Sequence, residues 1–140
     1  MDILYKTKKI LIIDDDKLQL SYMEEILSEV FSVISAESGK IALEMLINGY
    51  MPDLILLDIL MPEMDGFEVF RKIRAENNLK NIPIIFVTSV NEENEIRFAN
   101  KIGASDYIIK PFKKSVLINR IKNVININDY LKSVKNKNGD

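Results

Sequence analysis

Leu54-Ile55-Leu56-Leu57-Asp58 places four consecutive apolar residues directly before an acid. A short continuous apolar run, rather than an alternating one, is typical of a parallel strand that helices cover on both faces. The runs at 10–13 and 84–87 have the same character, and polar residues follow both of them. The sequence therefore predicts buried parallel strands whose ends carry polar side chains.

Helical patterns alternate with these runs along the chain. Apolar residues recur at spacings of three and four in five segments, the first of which runs from about Lys17 to Glu29. Two further short runs, at 31–35 and 107–109, complete a set of five strands. Five strands that alternate with five helices predict an α/β domain with a doubly wound parallel sheet and right-handed crossovers.

Residue composition limits the chemistry that the chain can perform. Its 140 residues fit one domain plus a short extension, and they include no cysteine and no histidine. Thiol or histidine catalysis, disulfides and Cys- or His-ligated metals are thereby excluded. The net charge of −2 offers no basic excess for direct nucleic-acid binding, and no apolar run is long enough for a membrane span. We expect a cytoplasmic protein without a signal peptide.

Polar residues follow the strands at places where they can act together. The acids at 14–16 follow strand one, Asp58 follows strand three, Thr88 ends strand four and Lys110 follows strand five. In a sheet of order 2-1-3-4-5 these residues would meet at one edge. Clustered carboxylates without softer ligands favour a hard cation such as Mg²⁺. An Asp carboxylate in such a site can accept a phosphoryl group, although spacing alone does not say which Asp does so.

Four motifs occur in order: Ile-Asp-Asp-Asp at 13–16, Leu-Asp-Ile-Leu-Met-Pro-Glu-Met-Asp-Gly at 57–66, Phe-Val-Thr-Ser at 86–89 and Asp-Tyr-Ile-Ile-Lys-Pro-Phe at 106–112. Over roughly residues 8–125 the chain resembles the receiver domain of two-component response regulators. The resemblance implies a flavodoxin-like (βα)5 fold with strand order 2-1-3-4-5. It also implies a signalling phosphoprotein that a sensor histidine kinase or phosphotransfer protein phosphorylates. No enzymatic activity is expected beyond its own phosphorylation and dephosphorylation.

The resemblance assigns roles to the acids at the predicted sheet edge. Asp58 would be the phosphoacceptor. Asp14 and Asp15 match the acidic pair that holds Mg²⁺, with Asp15 as a direct ligand and Asp14 acting mainly through water. Asp58 itself and the backbone carbonyl of Leu60 would be further metal ligands. The ordinary alternative is that these acids only cap turns or helices, as we expect for Asp16.

Three further residues match the signalling machinery of the family. Thr88 matches the hydroxyl that turns toward the phosphoryl group, and Lys110 matches the lysine that pairs with the phosphoryl oxygens. Tyr107 matches the aromatic residue that changes rotamer on activation, so the expected moving surface is the 4-5-5 face that includes helix four and strand five. The bond between Lys110 and Pro111 resembles the cis peptide of the family. Their ordinary alternatives are a loop hydroxyl, a solvated lysine and a strand tyrosine that packs on its neighbours.

Two apolar residues predict a long-lived phosphoryl group. Leu60 and Val90 lie two residues after Asp58 and Thr88, at positions that vary within the family. Neither side chain can orient a water molecule for attack on an acyl phosphate. We therefore expect slow self-dephosphorylation.

The apolar pattern continues beyond the region of resemblance. Val124, Ile127, Leu131 and Val134 are spaced by three, four and three residues, which is heptad-like. We therefore divide the chain into a receiver domain, 1–125, and a C-terminal helical extension or linker, 126–140. The extension could lead to an output domain or join a homodimer, and a stand-alone receiver is the alternative. Residues 132–140, rich in Asn and Lys, are expected to be solvated and poorly ordered.

A metal-dependent phosphohydrolase of the haloacid-dehalogenase-like type is the main alternative function. Such enzymes place a second Asp two residues after the nucleophile, whereas Leu60 stands there in this chain. A nucleotide or flavin binder is less favoured, because neither Gly-x-Gly-x-x-Gly nor Gly-x-x-x-x-Gly-Lys-Ser/Thr is present. An interaction module that works without phosphorylation would not need the complete acceptor set.

Overall fold

Strands and helices alternate throughout residues 3–137, which are the residues that the computed structural model describes. A single 3-10 turn, Ile3–Tyr5, precedes them. The strands are β1 (Lys9–Ile13), β2 (Ser32–Ala36), β3 (Leu54–Leu57), β4 (Ile84–Thr88) and β5 (Asp106–Ile109). The helices are α1 (Lys17–Leu27), α2 (Gly39–Ile47), α3 (Gly66–Ala75), α4 (Glu93–Ile102) and α5 (Lys114–Lys137).

The five strands form one sheet in the order β2-β1-β3-β4-β5. Every neighbouring pair is parallel, and Ile13 pairs with Ala36 on one side and with Leu57 on the other. The predicted α/β fold and strand order are therefore confirmed. Because all strands run the same way, their carboxyl ends lie along one edge of the sheet.

Each central strand contributes to two separate cores. In β1, Ile10 and Ile12 pack with apolar residues of α1 and α5, while Leu11 and Ile13 pack with those of α2, α3 and α4. All four side chains are buried. The continuous apolar runs follow from this arrangement, since helices cover both faces of the sheet and leave no position for a polar residue.

The predicted helix starts and stops agree with the structure within a few residues. Asp16 caps α1 by accepting hydrogen bonds from two backbone N–H groups, and Ser38 caps α2 in the same way with one. Gly103 ends α4 in the left-handed conformation, with φ of 101°. The first helix is shorter than predicted: it ends at Leu27, and Val30 is buried beyond its end.

Helix α5 is one continuous helix of 24 residues. It crosses the predicted boundary at 125/126 without a break, and residues 132–137 are helical. The expectation of a poorly ordered end is therefore wrong for 132–137, while 138–140 lie outside the described residues. Exposed residues of the heptad-like stripe, Ile127 and Leu131, lie on this distal part of the helix, beyond its buried contacts with the sheet.

The segment before β1 contacts the distal part of α5. The Tyr5 hydroxyl donates a hydrogen bond to Asn126 Oδ1 at 3.1 Å, and Lys8 Nζ lies 2.9 Å from Asp129 Oδ2. These contacts hold α5 in line with the domain past the last buried residue.

Within residues 3–137, no helix combines the length and the apolar character that crossing a membrane would require.

Candidate functional site

The carboxyl edge of the sheet collects the predicted site residues. Asp14 directly follows β1 and Asp58 directly follows β3, and these two strands are neighbours. Thr88 is the last residue of β4, and Lys110 directly follows β5. The backbone holds these positions in register, because Asp58 N–H donates to Ile13 O at 3.0 Å and Lys110 N–H donates to Thr88 O at 2.8 Å.

Lys110 contacts both buried carboxylates. Its Nζ lies 2.6 Å from Asp14 Oδ2 and 3.5 Å from Asp58 Oδ2. The side chain of Asp14 is 2% exposed and that of Lys110 is 14% exposed. An ammonium group in this position reduces the cost of burying two like charges side by side.

Three carboxylates form an acidic pocket at this edge. Oxygens of Asp14, Asp15 and Asp58 all lie within 4.8 Å of one another, with Asp15 exposed and the other two buried. The side chains of this group that could bind a metal all do so through carboxylate oxygens, which suit a hard cation. Asp16 stands apart from the cluster, since its side chain caps α1 as predicted.

Burial of Asp14 affects its proton affinity. Desolvation raises the pKa of the Asp14 carboxyl above its ordinary value, while the hydrogen bond from Lys110 opposes this shift and the charge of Asp58 adds to it. Asp14 Oδ1 also accepts a hydrogen bond from the Asp16 N–H at 2.9 Å. A cation placed among these carboxylates would favour their charged forms.

Thr88 and Tyr107 both contact Val90. The Thr88 hydroxyl, fully buried, accepts a hydrogen bond from Val90 N–H at 3.3 Å. The Tyr107 hydroxyl donates to Val90 O at 2.6 Å. Burial, with smaller contributions from nearby acids, raises the pKa of Tyr107 to about 12. The backbone at Val90 is therefore shared by the two residues to which the resemblance assigns switching roles.

A close backbone approach shapes the loop after Asp58. Gly66 N–H donates to Ile59 O at 2.9 Å, so the chain folds back on the segment that carries Asp58. A Cβ atom on Gly66 would lie 2.2 Å from the backbone oxygen of Asp58. Only glycine leaves room for this approach. Glu63 in the same loop has a positive φ of 67°.

A cavity of about 720 Å³ opens above this edge. Asp58, Leu60 and Lys110 line it, as the sequence predicts for a site at this place. Leu60 is 57% exposed, and its N–H donates to Asp58 Oδ1 at 3.4 Å. The peptide bond between Lys110 and Pro111 is cis, in agreement with the resemblance.

Sequence reasoning missed part of the cavity wall. Gln19, Tyr22 and Phe112 also line the cavity, and the rings of Tyr22 and Phe112 lie 6.2 Å apart. The available signal was the spacing of Gln19 and Tyr22, which fall one helical turn apart and outside the apolar face of α1. Phe112 ends the motif at 106–112, where the resemblance implies no role for it.

Comparison with known proteins identifies the family. The family model of the response regulator receiver domain matches residues 10–122. Chemotaxis protein CheY1 of Helicobacter pylori is 35% identical over 123 residues, which cover 86% of this chain and 99% of that protein. A probable cyclic di-GMP phosphodiesterase of Vibrio cholerae is 36% identical over 134 residues. That match covers 89% of this chain but only 30% of the longer protein.

A solved structure agrees with these matches. The crystal structure of a two-component response regulator from Clostridium difficile superposes with a TM-score of 0.78 at 33% identity. The alignment covers 86% of this chain and 97% of that chain. These comparisons give no support to the phosphohydrolase alternative, and the second acid that such enzymes require is absent, because Leu60 stands at its position. This chain belongs to the response regulator receiver domain family.

Proposed function

We propose that Asp58 accepts a phosphoryl group from the phosphohistidine of a sensor histidine kinase or phosphotransfer protein. The observation that carries this proposal is the position of Asp58 in the acidic pocket, with Lys110 Nζ 3.5 Å from its carboxylate. These 140 residues include no histidine, so the phosphohistidine donor lies outside them. Receiver domains are signalling modules that interact with such partners, and they are generally not enzymes that turn over a separate substrate.

The side chains of the pocket suit this transfer. A carboxylate oxygen of Asp58 forms a bond to phosphorus while the bond from phosphorus to the imidazole nitrogen of the donor breaks. Lys110 would neutralise charge on the phosphoryl oxygens, and the Thr88 hydroxyl ends the strand beside β3. Asp14, Asp15, Asp58 and the carbonyl of Leu60 would hold Mg²⁺, which supplies further positive charge to the phosphoryl oxygens when it is bound.

Acetyl phosphate labelling tests the acceptor directly. Incubation of the protein with acetyl phosphate and Mg²⁺ should add the mass of one phosphoryl group, and chelation of the metal should prevent the addition. Asp58→Asn should abolish labelling. Asp129→Asn is the matched control, because it removes an exposed carboxylate at the other end of the sheet. Labelling that persists in Asp58→Asn would assign the acceptor role to another residue.

Phosphorylation is expected to act on the 4-5-5 face. Thr88 would reorient toward the phosphoryl group and weaken its contact with Val90, which Tyr107 also contacts. Beryllofluoride, a stand-in for the phosphoryl group, should therefore shift the backbone amide resonances of α4 and β5 more than those of α2. Equal shifts in both regions would contradict this switch path.

The phosphoryl group is expected to persist. Leu60 and Val90 present apolar side chains, and the exposed Leu60 lines the cavity beside Asp58. Decay of the phosphorylated protein in Mg²⁺ should be slow, and Leu60→Asn should shorten the lifetime several-fold by giving water a hydrogen-bonding partner. A wild-type lifetime of seconds would contradict this proposal.

The distal part of α5 is proposed to pair with a second copy of the chain. Ile127 and Leu131 are 60% and 59% exposed, and Val134 follows at heptad spacing. In a longer protein, such as the Vibrio cholerae relative, the same helix would lead on toward an output domain. Analytical ultracentrifugation should show a concentration-dependent dimer that Leu131→Asp dissociates and Lys135→Asp does not. A monomer at all concentrations would contradict the pairing.

A further inference from the structure

A second cavity lies on the other face of the sheet from α5, between α3 and α4. Its volume is about 740 Å³, and none of its lining residues lines the cavity at Asp58. Helices α3 and α4 follow parallel strands that are neighbours, so they run in the same direction and leave a groove between them. The residues that characterise this α3–α4 groove are Phe67, Glu68, Arg71, Arg74, Phe98 and Ile102.

Aromatic side chains form the apolar wall of the groove. Phe98 is 46% exposed, and its ring meets that of Phe67 edge to face at 5.0 Å. Phe67 in turn contacts the buried ring of Phe86 at 5.2 Å. The exposed ring is therefore held by packing, so binding against it would cost little side-chain entropy.

Two arginines form the basic wall. Arg74 is half-buried, its guanidinium carbon lies 4.6 Å above the ring of Phe70, and its Nη1 donates to Ile82 O at 2.9 Å. Arg71 is exposed, one position before Lys72 on the same helix. Among residues 3–137, no carboxylate lies within ion-pair distance of Arg71 or Arg74.

The charge of the groove differs from that of the molecule. Its lining holds two arginines against one acid, Glu68, whereas the whole chain carries a net charge of −2. A guanidinium has five N–H donors in a planar fork that matches a carboxylate. Arg74, with one described hydrogen bond, retains most of this capacity.

We propose that the α3–α4 groove binds an acidic amphipathic helix of a partner protein. An apolar side chain of that helix would pack against Phe67 and Phe98, and carboxylates beside it would pair with Arg71 and Arg74. A groove between two helices suits a third helix, which presents apolar anchors along one face. This interaction goes beyond the proposed phosphoacceptor function, because the groove shares no lining residue with the cavity at Asp58.

A pair of designed peptides tests both the apolar packing and the charge pairing of the proposed complex. The probe is a blocked peptide of about 16 residues, long enough to hold a helix in water, with Leu and Phe one turn apart and Glu on either side. Its matched control carries Gln at every Glu. Fluorescence anisotropy should show at least tenfold tighter binding of the Glu peptide, and amide shifts should map it to α3 and α4. Equal binding of the two peptides, binding elsewhere, or no binding of either at millimolar concentration overturns the proposal.

Variants at exposed side chains locate the site. Arg71→Glu changes an exposed side chain and should weaken binding of the Glu peptide about tenfold, whereas Lys135→Glu on α5 makes the same change of charge and should not. Phe98→Ser should weaken binding of both peptides. If Arg71→Glu and Lys135→Glu weaken binding equally, the attraction is only that of net charge and the proposal fails. A dimer that Phe98→Ser dissociates and Leu131→Asp does not, as measured by ultracentrifugation, would mean that a second copy of the chain occupies the groove, and this result also overturns the proposal.

Discussion

The two ends of the sheet use the same pair of residue types in different surroundings. At the carboxyl end, Lys110 and Asp14 lie 2.6 Å apart with side chains 14% and 2% exposed. At the amino end, Lys8 and Asp129 lie 2.9 Å apart with side chains 25% and 46% exposed. The distances are alike, but water screens only the second pair well. Burial, more than contact distance, therefore distinguishes the two pairs.

Glycine substitution should produce the largest difference between the two ends. Gly66→Ala at the carboxyl end would place Cβ 2.2 Å from Asp58 O and 2.8 Å from Ile59 Cα, so the backbone must move. We expect a loss of about 3 kcal/mol in the free energy of unfolding. Gly49→Ala at the amino end meets nothing within 4 Å and costs only the strain of a φ of 106°, about 1 kcal/mol. Urea denaturation of both variants measures the difference. Equal losses of unfolding free energy would show that the loop at Gly66 can accommodate a Cβ atom.

Removal of each lysine should give the next largest difference. Lys110→Met leaves Asp14 buried beside Asp58 without its ammonium partner, and in the absence of divalent cations it should cost about 2 kcal/mol. Lys8→Met breaks an exposed pair and should cost about 0.5 kcal/mol. Mg²⁺ should recover part of the stability of Lys110→Met and none of that of Lys8→Met. Similar losses in both variants would mean that water reaches the carboxyl end as freely as the amino end.

The same contrast explains what the sequence could predict. The apolar runs predicted the strands, because a strand covered on both faces has no place for polar residues. The acids at Asp14 and Asp58 were predicted to meet, because parallel strands bring their ends to one edge. These features follow from local sequence and from the topology that it implies.

Other contacts depend on geometry that the sequence does not express. The hydrogen bond from Tyr5 to Asn126 joins exposed polar groups of residues that are 121 positions apart, and no periodic pattern in the sequence predicts it. Lys110 was predicted to serve the phosphoryl group beside Asp58, yet its Nζ lies closer to Asp14. Side-chain placement within a cluster depends on packing and charge balance among residues that are distant in the sequence.

The hydroxyl of Tyr107 should give the most specific effect, and one that is absent at neutral pH. Its pKa of about 12 lies above the ordinary tyrosine value of about 10. Between pH 10 and 12 the unfolded chain has released this proton while the folded chain retains it, so stability should fall with rising pH across that window. Absorbance titration should show a tyrosine step near pH 12, and Tyr107→Phe should remove that step. Tyr130→Phe, at an exposed position on α5, should leave the step near pH 12 in place. Loss of the step in Tyr130→Phe would mean that burial at the carboxyl end does not hold the Tyr107 proton.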